Sequence, residues 1–210
     1  MRQHGRDPTL GVLREVVHDV VHLNFSTVRT FVGLLLRPGQ VAREQIVDSS
    51  EAHVRPLSYA FWTSTAYLLV DKLTATPVSS FFDPFTNLQP FWPYLGMLAL
   101  LPIAGLQRLL FRKEDYTAAE SYAYQLFTFG QIVVFETALL LGQRGLHLDM
   151  QPWWAYRIPE LVYAAWAATG FYASRRLSVW LRGATVYLAG AGFITVLLLL
   201  YQWTHIFAWL

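Results

Sequence analysis

The sequence predicts an all-α fold: a polytopic bundle of about five transmembrane helices, preceded by a cytoplasmic amphipathic interfacial helix. Three observations lead there. Of 210 residues, 54% are hydrophobic and only 14% charged, against roughly 25% charged in soluble domains. Long apolar stretches recur along the chain. The basic residues fall in blocks between those stretches rather than evenly. A net charge of +2 is too small to argue for nucleic acid, and none is expected as a partner. Cysteine is absent, which excludes disulfides, thiolate zinc sites and a cysteine nucleophile. The start, MRQHGRDPT, has no apolar segment behind it, which argues against a cleaved signal peptide. Residues 1–55 read as a cytoplasmic and interfacial segment and 56–210 as the transmembrane unit.

Residues 9–36 place Leu10, Leu13, Val17, Val20, Val21, Val28, Phe31 and Leu35 at three- and four-residue steps, with polar groups opposite. That is an amphipathic helix, broken near Asn24 to Ser26. Its charges are too frequent for a span, so it is expected in the interface plane. Pro38-Gly39 reads as a turn, followed by a short helix from about Gln40 to Val47. The first span is expected at Pro56 to Val70, with an extension past Asp71-Lys72 toward Val78 left open. TPVSSFFDPFTNLQPFWPY, residues 76–94, carries four prolines and many aromatics. It reads as a loop dipping into headgroups. The second span covers Trp92 to Leu110, with a kink expected at Pro102.

The third span, Thr117 to Gly142, is the stretch around which the others are expected to pack. It is apolar and long enough to cross about 30 Å of hydrocarbon. Yet it holds Glu120, Gln125, Gln131 and Glu136, which cannot face lipid cheaply. The fourth span covers Pro152 to Ala173 and the fifth Ala184 to Trp209. Alanines and glycines from Ala164 to Ala173, with Ala189, Gly190 and Gly192, let the fourth and fifth spans approach closely. Orientation follows from the basic residues. Arg2, Arg6, Arg14, Arg29, Arg37, Arg43 and Arg55 precede the first span, and two further blocks, Arg108 to Lys113 and Arg175 to Arg182, share its side. Only Lys72, Arg144 and Arg157 of the 16 basic residues fall elsewhere. Five spans then put the amino terminus in the cytoplasm and the carboxyl terminus outside, in a bacterial inner membrane.

Segments VVHLNFSTVRTFVGLLLRPGQVAREQI, VRPLSY and LLPIAGLQRLLFRKEDYTAAES together resemble a family of uncharacterised bacterial integral membrane proteins, whose longer members begin with a zinc ribbon. The family pattern maps onto His22, Arg37, Pro38, Gly39, Pro56 and Glu120. This chain lacks the ribbon cysteines, and DSSEAHVRP replaces the family's basic link. The resemblance implies a membrane protein and brings no activity with it. The span count is also similar to that of Yip-type five-helix membrane proteins.

Thr117-x-x-Glu120 fits a capping box; Glu120 reads either as that cap or as an anchor for a basic partner. Glu136 is expected to pair with Arg157, with Glu160 one turn further on. The pair fixes helix register, or it forms a proton, ion or headgroup site. Gln125 lies eleven residues before Glu136, on the same helix face, which favours a polar seam of Gln125, Gln131, Glu136, Arg157 and Glu160. His18 and His22 have zinc-like spacing but no third ligand, and read as solvated or headgroup-facing. His147 with Asp149, and His205, read as outer-side polar groups. No metal or cofactor is expected. Arg14, Arg29, Arg37 and Arg43 would attract anionic headgroups or a partner by about 1 kcal/mol each, or serve only topology. The leading function is noncatalytic: a membrane scaffold or accessory subunit binding lipid, a protein partner or a second copy of itself. The alternatives are a small transporter or channel using the polar seam, and an intramembrane lipid-modifying enzyme.

Overall fold

Residues 25–50, 52–74, 91–145 and 154–207 are described by the computed structural model of the chain. Among them every regular element is an α-helix: α1 (Phe25–Leu36), α2 (Pro38–Ile46), α3 (Pro56–Thr74), α4 (Trp92–Leu110), α5 (Ala118–Gly145), α6 (Trp154–Phe171) and α7 (Leu177–Phe207). The expected amphipathic stretch 9–24, most of the proline-rich loop, His147, Asp149 and the carboxyl-terminal residue lie outside the described residues.

Helix α5 is the hub: α2, α3, α4 and α6 all pack on it, α3 most extensively. Helix α7 packs on α6 and α4. Aromatic rings fill the spaces between helices. Tyr59 meets Phe127 at 5.9 Å, Tyr124 stacks on Phe171 at 4.6 Å, and Phe135 meets Tyr163 edge-on at 5.1 Å. Such pairs add ~0.5–1.5 kcal/mol each beyond the area they bury. Among the described residues, three helices carry stretches long and apolar enough to cross a membrane: Pro93–Leu110, Ala118–Gly142 and Leu177–Tyr201. Helices α3 and α6 fall short of that apolarity, because Asp71 and Lys72 close α3 and Arg157 and Glu160 open α6.

Several boundaries differ from expectation. Pro38-Gly39 is not a turn. Only Arg37 separates α1 from α2, and Pro38 opens α2. A proline suits that first helical position, since its φ is already helical and its missing N–H would have had no partner. Helix α3 continues through Asp71 and Lys72, and Asp71 is buried. Helix α4 runs from Trp92 to Leu110 as expected, so only the end of the expected loop, Trp92 to Tyr94, is helical instead. Helix α7 begins seven residues early and includes Arg182, whose guanidinium lies 5.8 Å from the Phe111 ring centre. A long cationic side chain can lie along an apolar helix when its head finds an aromatic face. The turn between α6 and α7 closes with Ala173 at φ 47°. Its N–H bonds Gly170 O and that of Ser174 bonds Thr169 O, a Schellman ending.

The amino-terminal pair α1–α2 is built into the bundle. Leu34, Pro38, Gly39, Val41 and Ala42 are buried, and α2 packs on α6 and α5. Tyr163 of α6 donates to Leu34 O at 3.1 Å, and Thr30 Oγ1 accepts from Val54 N at 2.9 Å. The closest approach is glycine on glycine. A Cβ on Gly170 would stand 2.9 Å from Gly39 Cα, and one on Gly39 would collide with the Ala167 carbonyl and Phe171 amide. The small residues of α6 therefore serve two neighbours. Ala165 and Ala168 accept Gly183 of α7, as expected for the last two spans, while Gly170 accepts α2. Gly190 faces Ile103 of α4 instead.

Gly39→Ala is expected to destabilise the protein by about 2–3 kcal/mol, because backbone rather than a flexible side chain blocks the added methyl. Gly105→Ala, in open space inside α4, should be neutral or stabilising by up to about 1 kcal/mol. Thermal unfolding of both in one detergent checks the contrast.

Candidate functional site

The sequence-predicted polar residues fall into three of the polar contacts that cross between apolar helices, each at a place where two or three elements meet. The first is an acid–arginine cluster. Arg157 on α6 reaches Glu160 Oε2, one turn along its own helix, at 2.8 Å. It stands 3.7 Å from Glu136 Oε1 on α5. The Tyr187 hydroxyl of α7 donates to the same Glu160 oxygen. Glu160 is the sealed end of the cluster, at 2% exposure, whereas the Glu136 and Arg157 side chains are 35% and 43% exposed. Tyr67 of α3 lies within electrostatic reach of Glu136. The expected neighbours are thus side by side, but the tighter contact of Arg157 is Glu160, not Glu136.

Gln125 occupies the second place. It donates to Gln107 Oε1 of α4 at 2.5 Å, and Gln107 donates to the Tyr172 hydroxyl at 2.7 Å. All three are buried. The third is Gln131, fully buried, whose Oε1 accepts from the Tyr59 hydroxyl of α3 at 2.5 Å while its Nε2 has no partner. The expected seam is therefore three separate bridges: Gln125 to α4, Gln131 to α3, Glu136 to α6. Helix geometry explains the split. Gln131 is six residues from Gln125, about 240° around the helix, so it faces another neighbour. Gln125 and Glu136 share a face but stand roughly 16 Å apart along it.

Glu120 forms the reciprocal cap. Its Oε2 accepts from Thr117 N at 2.6 Å and from Thr117 Oγ1 at 2.7 Å, while its own N–H bonds Thr117 Oγ1 at 3.1 Å. Pro56 opens α3 as Pro38 opens α2. Arg29 and Arg37 are exposed and Arg43 is half-buried. The Arg43 charge reaches Tyr116, where burial pushes the phenol above its usual value and Arg43 partly offsets that. Arg14 and His22 lie outside the described residues.

Sequence reasoning missed Tyr187, Gln107, Tyr172 and His53. His53 is buried, with Nε2 3.3 Å from Glu44 Oε2. A lone tyrosine or glutamine in an apolar run carries no period of its own, so the only available signal was a polar atom where lipid contact would leave it unpaired. Among the described residues no three His, Asp or Glu gather as a metal site. An open depression of about 670 Å³ lies at the α6–α7 turn, lined by Glu114, Ser174, Arg175 and Arg176 among others, at a different place from the acid–arginine cluster.

The arrangement defines a class: an α-helical protein with, among the described residues, three helices of membrane-crossing length and apolarity, cross-linked inside by polar bridges. No protein-family model, curated protein or solved structure matches the chain.

Glu160→Ala is expected to cost about 3 kcal/mol, because it leaves Arg157 and Tyr187 without their buried acceptor. Glu136→Gln should cost under about 1 kcal/mol, since that contact is longer and half-exposed. Unfolding of the two variants in matched detergent separates them, and equal losses would contradict this geometry.

Proposed function

We propose that the chain is a noncatalytic five-span protein of a bacterial inner membrane, acting as a scaffold or accessory subunit. In this reading α3 to α7 all cross, with the amino terminus in the cytoplasm and the carboxyl terminus outside. Helices α3 and α6 cross despite their charges because Arg157, Glu160 and Asp71 turn into the bundle or meet partners there. The observation that supports it best is how the interior polar groups are used. Gln107, Gln125, Gln131 and Glu160 each bridge helices, at ~1 kcal/mol per neutral bond. Groups spent on joining helices hold a shape, which is what a scaffold requires. The resemblance to the uncharacterised bacterial membrane family bears only on the membrane placement.

One observation favours a second reading, a small transporter or channel. Arg157 stands between two carboxylates, Glu136 and Glu160, so an ionised cluster carries a surplus acid and would attract a proton or small cation.

The chain has no cysteine, so single cysteines can map its topology. Cysteines placed at Lys113 and Ser174 are expected to react with a membrane-impermeant maleimide only in inverted vesicles, and one at His147 only in intact cells. Mass spectrometry of the detergent-extracted protein should then show a stoichiometric protein or lipid companion. Ion or proton flux in proteoliposomes, abolished by Glu136→Gln, would instead establish the second reading.

A further inference from the structure

The side-chain contacts set the relative heights of the helices. Tyr59, in the first turn of α3, meets α5 at Phe127 and Gln131. Arg55, just before α3, therefore stands about 13 Å inside the start of α5. Tyr124 of α5 donates to Ala164 O of α6, and Gly183 of α7 faces Ala165 and Ala168. Arg182 is thus level with that part of α6. Helix α1 is fastened at both points: Thr30 to Val54 beside the start of α3, and Leu34 to Tyr163 of α6. Its two anchors share one height, so α1 lies across the bundle axis rather than along it. Arg37 follows directly. Arg37 and Arg55, from two separate segments, consequently mark one level, while the Arg182 guanidinium stands nearer the basic loops, over Phe111, which stacks on Tyr172.

The surface changes character at that level. On one side, the outward residues of α3 and α7 are apolar, including Leu57, Phe61, Trp62 and Leu188, each more than 45% exposed. On the other, α5, α6 and α7 run on for roughly 10 Å and carry α2, Tyr116 and the basic loops. Trp166 is 44% exposed at the level itself, where an amphipathic ring is favoured. Helix α1 shows Phe25, Val28, Val32, Leu35 and Leu36 outward. That stripe is apolar but is bordered by Arg29 and Arg37. Arg37 and Arg55 are exposed and form no ion pair among the described residues.

We infer that the polar boundary of the bilayer crosses the bundle at Arg37 and Arg55. There the two guanidinium groups hold phosphates of anionic phospholipids, and α1 lies flat with its apolar stripe among the acyl chains. The inference rests on the cytoplasmic placement of the basic side. It adds Arg55 and Trp166 to the lipid-facing set and removes Arg43, which stands higher, beside Tyr116. A guanidinium presents paired donors to phosphate oxygens, and the apolar stripe makes the ligand a lipid rather than a free anion.

Two experiments test it in vesicles of phosphatidylcholine and phosphatidylglycerol at a three-to-one ratio. Spin labels on single cysteines at Gln40, Leu36 and Leu188 report depth by the balance of oxygen and nickel-chelate access. Leu36 is expected at the phosphate level, Gln40 in water and Leu188 in hydrocarbon. Leu36 in bulk water, or Gln40 as deep as Leu188, overturns the inference while leaving span topology to the maleimide assay. Phosphatidylglycerol retained on the purified protein is then counted by native mass spectrometry. Arg37→Gln and Arg55→Gln are each expected to weaken retention roughly five-fold, whereas Arg43→Gln leaves it unchanged. Circular dichroism confirms that each variant is folded. Equal losses for Arg43→Gln, or displacement of the lipid by excess inorganic phosphate, would show a diffuse charge effect or a free-anion site and refute the pair.

Discussion

A polar side chain carried by an apolar helix must be answered by another helix, because neither hydrocarbon nor a packed aromatic interior can satisfy it. This one constraint accounts for most of the architecture. Helix α5 carries the amides and acids, so α5 is where the others converge. Each polar residue chooses a neighbour. Gln131 holds α3 through Tyr59, Gln125 holds α4 through Gln107, and Glu136 faces Arg157 of α6. Helix α7 has no such group on α5 to meet, and it is joined through Tyr187 to Glu160 on α6. The bonds are individually modest, about 1 kcal/mol when neutral. Their influence is on specificity, since a helix rotated or shifted by one residue would leave both partners buried and unsatisfied.

The amino-terminal pair follows a different rule. Its docking depends on the removal of side chains rather than on polar attraction. Gly39 and Gly170 let two backbones touch, as small residues do wherever helices pack without a hydrophobic drive between them. Around that contact Leu34, Val41 and Ala42 are sealed, and Tyr163 and Thr30 supply the hydrogen bonds. The Arg-Pro-Gly sequence is thus three functions in a row: an exposed cation, a helix start and a crossing point. What looks like a turn in one dimension is a helix junction in three.

Much of this could be read in advance. Apolar runs located α4, α5 and α6 to within a few residues, and the Thr117-x-x-Glu120 spacing located a cap, because both depend on neighbours in the chain. Glu136 and Arg157 could be placed side by side from their depth below the same end of two adjacent helices. The start of α7 could not be read, because Arg182 in isolation looks like loop and only the Phe111 ring makes it helix. Nor could the seam be resolved into separate bridges. Gln107, Tyr172 and Tyr187 come from α4, the α6–α7 turn and α7, and nothing local marks them as partners of α5 and α6.

The sequence alone determined that the chain is helical and apolar, with its basic residues gathered in blocks, since composition, period and the spacing of basic residues are properties of the string. The tertiary structure decided which polar atoms answer which, and that α2 is seated on α6. Those are relations between residues far apart in the chain, set by side-chain shape and by the cost of an unpartnered polar atom, and they exist only once the helices have packed.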